Sequence, residues 1–300
     1  MTLIFIVGAT ATGKSELSLQ VAEELSAEIV NADSMQLYRG MDIGTAKLPI
    51  SERHGIPHHL IDVLDVTQDA SVAQYQSWAR TLIDQLLAEN KSVVVVGGTG
   101  LYVKGILDEL NFPDTDPEVR GRLTEEAEKI GYEVMHQRLA KLDPAAAAAI
   151  PKENLRRVIR ALEVIEITGK PFTANLPKAG ATYYPQALQF GLVMDRDSLK
   201  ERIDARVEAM WEKGFVAEVT HLLEAGIREG KTAKAALGYS QIIAFLEGRT
   251  GELEAKEETK RATRAYARRQ ETWFSRDERI KWLKGPDQLN SIISTTINSR

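Results

Sequence analysis

The chain has 300 residues, 43 % apolar and 27 % charged, with no cysteine and a formal net charge of −5. That size and composition support a folded core, and they exclude disulfides, thiolate nucleophiles and cysteine-bound zinc. No stretch approaches the roughly 18 consecutive apolar residues that span a bilayer, and the acidic balance argues against a general nucleic-acid coat, whose affinity grows with the phosphates neutralised by Lys and Arg.

Leu3 to Val7 is a short apolar run that enters a glycine loop with neither the basic n-region nor the cleavage site of a secretion signal, so it reads as a buried strand. Leu17, Val21 and Leu25 then stand four apart, as on one helical face, and Glu28 to Ala32 reads as a second strand ending at Asp33. Ser71 with Gln74 predicts a capping box opening a helix that carries Tyr75, Ala79, Leu82 and Leu86. Val93 to Val96 is a β-branched run of the kind buried on both faces of a parallel sheet, and Gly97, Gly98 and Gly100 punctuate its exit.

Beyond Asn111-Phe112-Pro113 the pattern is helical, with Asp116-Pro117 as a helix start and with breaks at Leu142-Asp143-Pro144 and Ile150-Pro151. Strand character returns over Gln189 to Met194, and Ser198 with Glu201 predicts the next helix start. The expected architecture is α/β: a P-loop parallel sheet flanked by helices, with a smaller all-helical insertion domain. Residues 1–111 and 175–300 form the core, and residues 112–174 the insertion. From Lys256 to Lys284, ten Lys and Arg face five Asp and Glu, with Tyr266, Trp273, Phe274 and Trp282 among them. This tract is a candidate nucleic-acid surface or, equally, a solvated terminal helix.

Gly8-Ala9-Thr10-Ala11-Thr12-Gly13-Lys14-Ser15 satisfies G-x-x-x-x-G-K-[ST] between a predicted strand and a predicted helix. The glycines permit turns that aim backbone N–H groups inward, the helix directs its positive end to the same place, Lys14 supplies charge, and Ser15 can hold a Mg²⁺ that bridges two phosphates. Asp33 and Thr99 stand at strand ends, where ligands of open α/β sheets bind. Taken alone, Asp33 is also compatible with a helix cap or a Mg²⁺ ligand. The Val93 to Val96 run ends in glycines instead of the aspartate with which P-loop ATPases anchor Mg²⁺, and there is no Asn-Lys-x-Asp motif, so a diphosphate clamp is favoured over a motor or GTPase. Arg202 and Arg206, four apart on one helix, can reach such phosphates or form a surface pair. His54, His58 and His59 lack partners at a zinc spacing and read as structural.

Together these motifs resemble the tRNA dimethylallyltransferases, also called tRNA isopentenyltransferases. The resemblance lies in the loop Gly8 to Ser15, Asp33-Ser34-Met35-Gln36-Leu37-Tyr38, Gly40 to Lys47, Pro57 to Asp62, Gly97 to Tyr102 and Asp116 to Arg120. Arg156-Arg157 with Arg160 to Glu163, the Arg202 to Val207 helix and Leu237-Gly238-Tyr239 also fit, over about residues 4–285. Ala9 replaces the family's usual proline, Ser240 replaces a frequent Lys or Arg, and the lack of a zinc-finger extension resembles the bacterial branch.

The resemblance implies transfer of a dimethylallyl group from dimethylallyl diphosphate to N6 of the adenine just 3′ of the anticodon. It implies Asp33 as base, with Lys14, Arg206, Thr10 and Thr99 at the phosphates or the reacting centre and Mg²⁺ as cofactor. Ser34, Met35, Gln36 and Thr99 would meet the anticodon loop, Gln36 would read the adenine edge, and Arg120, Arg156, Arg157, Arg160 and the C-terminal helical region would hold the tRNA. A cytoplasmic monomer with no membrane partner is expected. The competing readings are a small-molecule or nucleoside kinase and a nucleotide-switched RNA-binding module.

Overall fold

Every residue of β1 (Leu3–Gly8) is buried, and its alternation serves two cores. Leu3, Phe5 and Val7 enter a cluster with Tyr38, Tyr75, Ile106 and Phe215, whereas Ile4 and Ile6 enter another with Leu17, Val21, Ile29 and Phe190. Successive strand side chains face opposite sides, so an unbroken apolar run fits a strand covered on both faces.

The computed structural model describes residues 1–175, 181–285 and 287–298. After β1 come α1 (Lys14–Leu25), β2 (Ala27–Asn31), β3 (His58–His59), α2 (Val72–Ala88), β4 (Ser92–Gly97) and α3 (Gly100–Leu107). Next are α4 (Pro117–Ile130), α5 (Tyr132–Leu142), α6 (Pro144–Ala149) and α7 (Leu155–Thr168). The chain returns through β5 (Leu188–Leu192), α8 (Arg196–Glu212), α9 (Phe215–Glu224), α10 (Tyr239–Leu246), α11 (Glu252–Phe274), β6 (Ile280–Leu283) and α12 (Gln288–Asn298). The strands form one sheet in the order β3-β2-β4-β1-β5-β6, and every neighbouring pair is parallel. The sheet and its helices are the α/β arrangement expected from the sequence.

The chain divides into two compact units, Met1–Leu107 with Tyr184–Arg300, and Asp108–Tyr183. The second is helical and has its own core of Leu123, Met135, Leu139, Val158 and Leu162. It begins before and ends after the expected limits 112–174, because Asp108 bridges Thr182 antiparallel and the Glu109 N–H bonds the Ala181 carbonyl at 3.1 Å. Asp116 caps α4 by accepting from Glu118 and Val119, with Pro117 in the first turn. Asp143 caps α6 and also accepts from the Thr173 N–H and hydroxyl.

Two strands were not foreseen. β3 is too short to show a period, and β6, lying in the charged tract, takes its place by pairing with β5. Two helix starts also differ in detail. Ser71 stands at the cap of α2 without a side-chain capping bond. α8 is capped by the Asp195 carboxylate, which accepts the Ser198 N–H at 2.9 Å, so the expected Ser198 and Glu201 box is not the cap.

Candidate active site

The loop after β1 reverses direction through residues with positive φ: Gly8 (138°), Ala11 (64°) and Gly13 (96°). A Cβ on Gly8 would stand 3.0 Å from the Leu192 carbonyl oxygen, so this turn requires glycine. α1 then opens at Lys14 with free N–H groups at its first turn. Ala9 is buried with Leu199, Ile203 and Ala267, and its carbonyl accepts the Thr12 hydroxyl at 2.9 Å and the Lys14 ammonium at 2.5 Å. Gly8, Ala9 and Thr12 thus form the frame of the loop, while Thr10, Ala11, Gly13, Lys14 and Ser15 line a cavity of about 300 Å³.

The opposite wall comes from the exit of β2. The buried Asn31 side chain donates to the carbonyls of Asp33 (3.0 Å) and Leu60 (2.9 Å), and it accepts the Asp33 N–H at 2.9 Å. Asp33 accepts the Met35 N–H at 2.9 Å, and the Thr99 hydroxyl accepts the Ser34 N–H at 3.1 Å. The exits of β2 and β4 run so close that a Cβ on Gly97 would meet the Ala32 carbonyl oxygen at 2.2 Å. β4 separates β1 from β2, so the strand that ends before Asp33 lies two strand spacings, about 10 Å, from the strand that leads into the glycine loop. Asp33 and that loop line the same cavity.

α8 contributes Arg202 and Arg206 to that cavity. Arg206 donates to the Thr45 carbonyl at 3.4 Å, and Gln36 donates to the same oxygen at 3.2 Å. The loop carrying Thr45 is itself pinned by Glu218, which accepts the N–H groups of Asp42 (3.1 Å), Ile43 (2.6 Å) and Gly44 (3.3 Å) and the Tyr239 hydroxyl (2.6 Å). Lys47 closes the loop from below through the Tyr38 carbonyl and the carboxylates of Asp42 and Asp62.

α11 supplies the remaining wall with Tyr266 and Gln270. Gln270 accepts the Thr10 N–H at 2.8 Å and donates to the Gly98 carbonyl at 2.9 Å. The 256–284 tract is therefore not simply a surface. Phe274 is buried, Lys256 and Lys260 pair with Glu208, and Arg264 pairs with Asp204. Arg268, Arg276, Lys281 and Lys284 are exposed.

Three cations, Lys14, Arg202 and Arg206, and two carboxylates, Glu16 and Asp33, line the cavity. Burial and then the Arg206 charge bring the Lys14 pKa down to about 8, with Asp33 opposing both. Burial also lowers the pKa of Arg206, against Asp33. Burial and then Asp33 push the Tyr266 hydroxyl up to about 12, so it stays protonated at neutral pH. Asp33 thus acts on Lys14, Arg206 and Tyr266 together.

In the second unit, Arg156 and Arg157 are exposed at the start of α7, whereas Arg120 and Arg160 both fold onto Glu163, which is 0 % exposed. Arg120 and Arg160 therefore share one partner, whose burial their sequence context did not reveal. His54 pairs with Glu23, His59 with Glu28, and His58 meets the Ile56 carbonyl. Among the described residues no three His, Asp or Glu come together as a metal site. The donors present suit a magnesium ion carried on a diphosphate, since Mg²⁺ takes few protein oxygens and fills its shell from phosphates and water, and Ser15 offers such an oxygen at the cavity wall. Gln270 carried no local signal in the sequence, and Tyr266 stood out only as an aromatic among charges.

The family pattern of the IPP transferases matches residues 36–277. A tRNA dimethylallyltransferase of Streptomyces griseus is 57 % identical over 283 residues, covering 94 % of this chain and 90 % of that one. The crystal structure of the full-length tRNA isopentenylpyrophosphate transferase from Bacillus halodurans is similar at a TM-score of 0.73 and 38 % identity, covering 99 % of this chain and 96 % of that one. A eukaryotic dimethylallyltransferase, captured in crystallographic snapshots acting on tRNA, is similar at a TM-score of 0.82 and 28 % identity, covering 99 % and 78 %. With a glycine loop and a carboxylate lining one cavity and this degree of likeness along nearly its whole length, the chain belongs to the IPP transferase family, that of the tRNA dimethylallyltransferases.

Proposed function

We propose that this chain transfers a dimethylallyl group from dimethylallyl diphosphate to N6 of the adenine just 3′ of the anticodon in tRNA. The observation that carries the proposal is that Lys14, Arg206 and the phosphate loop share one cavity with Asp33. Membership of the family supplies the substrate class.

In this reading the C1–O bond of the donor breaks, and the diphosphate leaves with the electron pair. The N6–C1 bond forms, and the N6 proton passes to the Asp33 carboxylate. An exocyclic adenine amine is a weak nucleophile because its lone pair is delocalised, so a base beside the proton is useful. The N–H groups at the start of α1, Lys14 and Arg206 stabilise the charge that develops on the diphosphate. Ser15 would hold a Mg²⁺ on the protein side, which would supply further positive charge for the leaving diphosphate. The Thr99 hydroxyl, which accepts the Ser34 N–H, stands on the acceptor side beside Asp33.

Gln36, held at the Thr45 carbonyl, is positioned to read the adenine edge beside Ser34 and Met35. Extruding the base from its stack costs on the order of a few kcal/mol. Arg156 and Arg157, exposed on α7, are suited to phosphate contacts that offset this, and Arg120 and Arg160 add charge beside them on the same unit. One chain supplies every residue assigned here, which supports a monomer. No described helix is long and apolar enough to cross a membrane, and a tRNA substrate fits the cytoplasm.

The test is mass spectrometry of nucleosides from tRNA incubated with the protein and dimethylallyl diphosphate. Prenylated adenosine is expected. Phosphate transfer from ATP with an inert prenyl donor would replace this reading with a kinase.

A further inference from the structure

We infer that Gln270 is the positioning residue that sets the spacing between the leaving-group cradle and the acceptor side of the site. The inference rests on the function proposed above and assigns a role to a residue outside the motifs that carry it.

β1 and β4 are neighbours, and their ladder runs in register from Leu3 with Val93 to Val7 with Gly97. Beyond that pair the chains part, β1 into the phosphate loop and β4 toward Thr99. At this point Gln270, 5 % exposed, enters from α11. Its Oε1 accepts the Thr10 N–H at 2.8 Å, and its Nε2 donates to the Gly98 carbonyl at 2.9 Å. A side-chain amide, with one acceptor and one donor in a plane, thus substitutes for the peptide group that the parting strands no longer provide. Gly98 leaves the room for it, because a Cβ there would stand 2.1 Å from Gln270 Nε2.

The clamp reaches the chemistry from both ends. Thr10 lies in the loop that would grip the diphosphate. Gly98 precedes Thr99, whose hydroxyl holds the Ser34 N–H beside Asp33. Tyr266, one turn earlier on α11, lines the same cavity. Because the Thr10 N–H is engaged by Gln270, the amides left for phosphate are those from Ala11 onward. Misplacement of a reacting centre by a fraction of the strand spacing is enough to slow transfer without weakening either substrate's grip.

The experiment compares Q270A and Q270E with the parent in steady-state prenyl transfer between about pH 6 and pH 8. In Q270E the ionised carboxylate still accepts from Thr10 but turns an oxygen toward the Gly98 carbonyl, and protonation restores the missing donor. The ionisable groups lining the cavity at this position are Lys14 and Glu16 from α1, Asp33 beyond β2, Arg202 and Arg206 from α8, and Tyr266 on α11 itself. They are common to all three proteins, so ratios to the parent cancel most of their titration. At about pH 8 both variants are expected to lose at least roughly tenfold in kcat with tRNA affinity unchanged. The Q270E-to-parent ratio should rise at least about threefold toward pH 6, while the Q270A ratio stays flat.

A Q270A within about twofold of the parent, or a Q270E ratio indifferent to pH, overturns the inference. Amide hydrogen exchange gives a readout that does not need turnover: the segments around Thr10 and Gly98 should exchange faster in Q270A, and unchanged exchange there also overturns the clamp. Should Q270A fail to fold, the isosteric Q270E decides by its pH ratio. If the parent itself transfers no prenyl group, the proposed function falls, and exchange alone judges the clamp.

Discussion

The Lys14 ammonium donates to the Ala9 carbonyl at 2.5 Å, folding the loop's cation back onto the loop itself. Burial and the Arg206 charge bring its pKa down to about 8 from 10.5, with Asp33 opposing. The ligand-free protein therefore sheds this charge as pH rises through about 8, and an arriving diphosphate restores it. Diphosphate binding should take up a proton near pH 8 and weaken above it. Calorimetry in buffers of different ionisation enthalpy measures that uptake, and its absence between about pH 7.5 and 9 would contradict the assignment. For stability the sign is the reverse. Between the folded value of about 8 and the unfolded 10.5 the unfolded chain binds more protons, so this group makes stability rise with pH across that window.

Asp33 is held by bonds from its own neighbours: its N–H to Asn31 and its carboxylate to the Met35 N–H. Asp33→Asn preserves the shape and removes the base. We predict a fall in kcat by a factor on the order of a hundred or more, with tRNA binding nearly intact. Equal losses of binding and turnover, measured by filter binding and initial rates, would mark Asp33 as structural.

Glu218 gathers three backbone N–H groups and the Tyr239 hydroxyl beneath the loop that carries Thr45. Glu218→Ala strands those donors, and a cost of about 2–4 kcal/mol is expected. Chemical denaturation measures it. Because Thr45 orients Gln36 and Arg206, transfer should also slow under conditions where the variant is fully folded. A variant as stable as the parent would remove Glu218 from this role.

Arg157 stands exposed in the first turn of α7. Arg157→Ala should weaken tRNA affinity and reduce the slope of log affinity against log salt by roughly one unit or less. Parallel salt curves for variant and parent would count against a phosphate contact.

Glu163 shows what a local motif leaves out. Arg120 and Arg160 both converge on this fully buried carboxylate, which also accepts the Asp116 N–H. The spacing of Arg160 and Glu163 on one helix was visible in the sequence. The burial of Glu163 was not, because it depends on how α4 and α7 pack within their unit.

Taken alone, the residue order was enough for whatever is encoded in short stretches. The phosphate loop was legible because its turns, lysine and helix start occupy eight consecutive residues, and β1 and β4 because an unbroken apolar run fits only a strand covered on both sides. The cap at Asp116 and the break at Asp143 were legible because a carboxylate before proline acts within one turn. Tertiary structure alone decided the rest of the cavity. Gln270 meets Thr10 across 260 residues and Gly98 across 172, and Glu218 meets Asp42 across 176. No period or motif encodes such pairs, since a glutamine on a charged helix looks the same in sequence whether it faces water or joins two strand exits. Only packing α11 and α9 against the sheet gives these polar groups partners, and burial makes those partners matter.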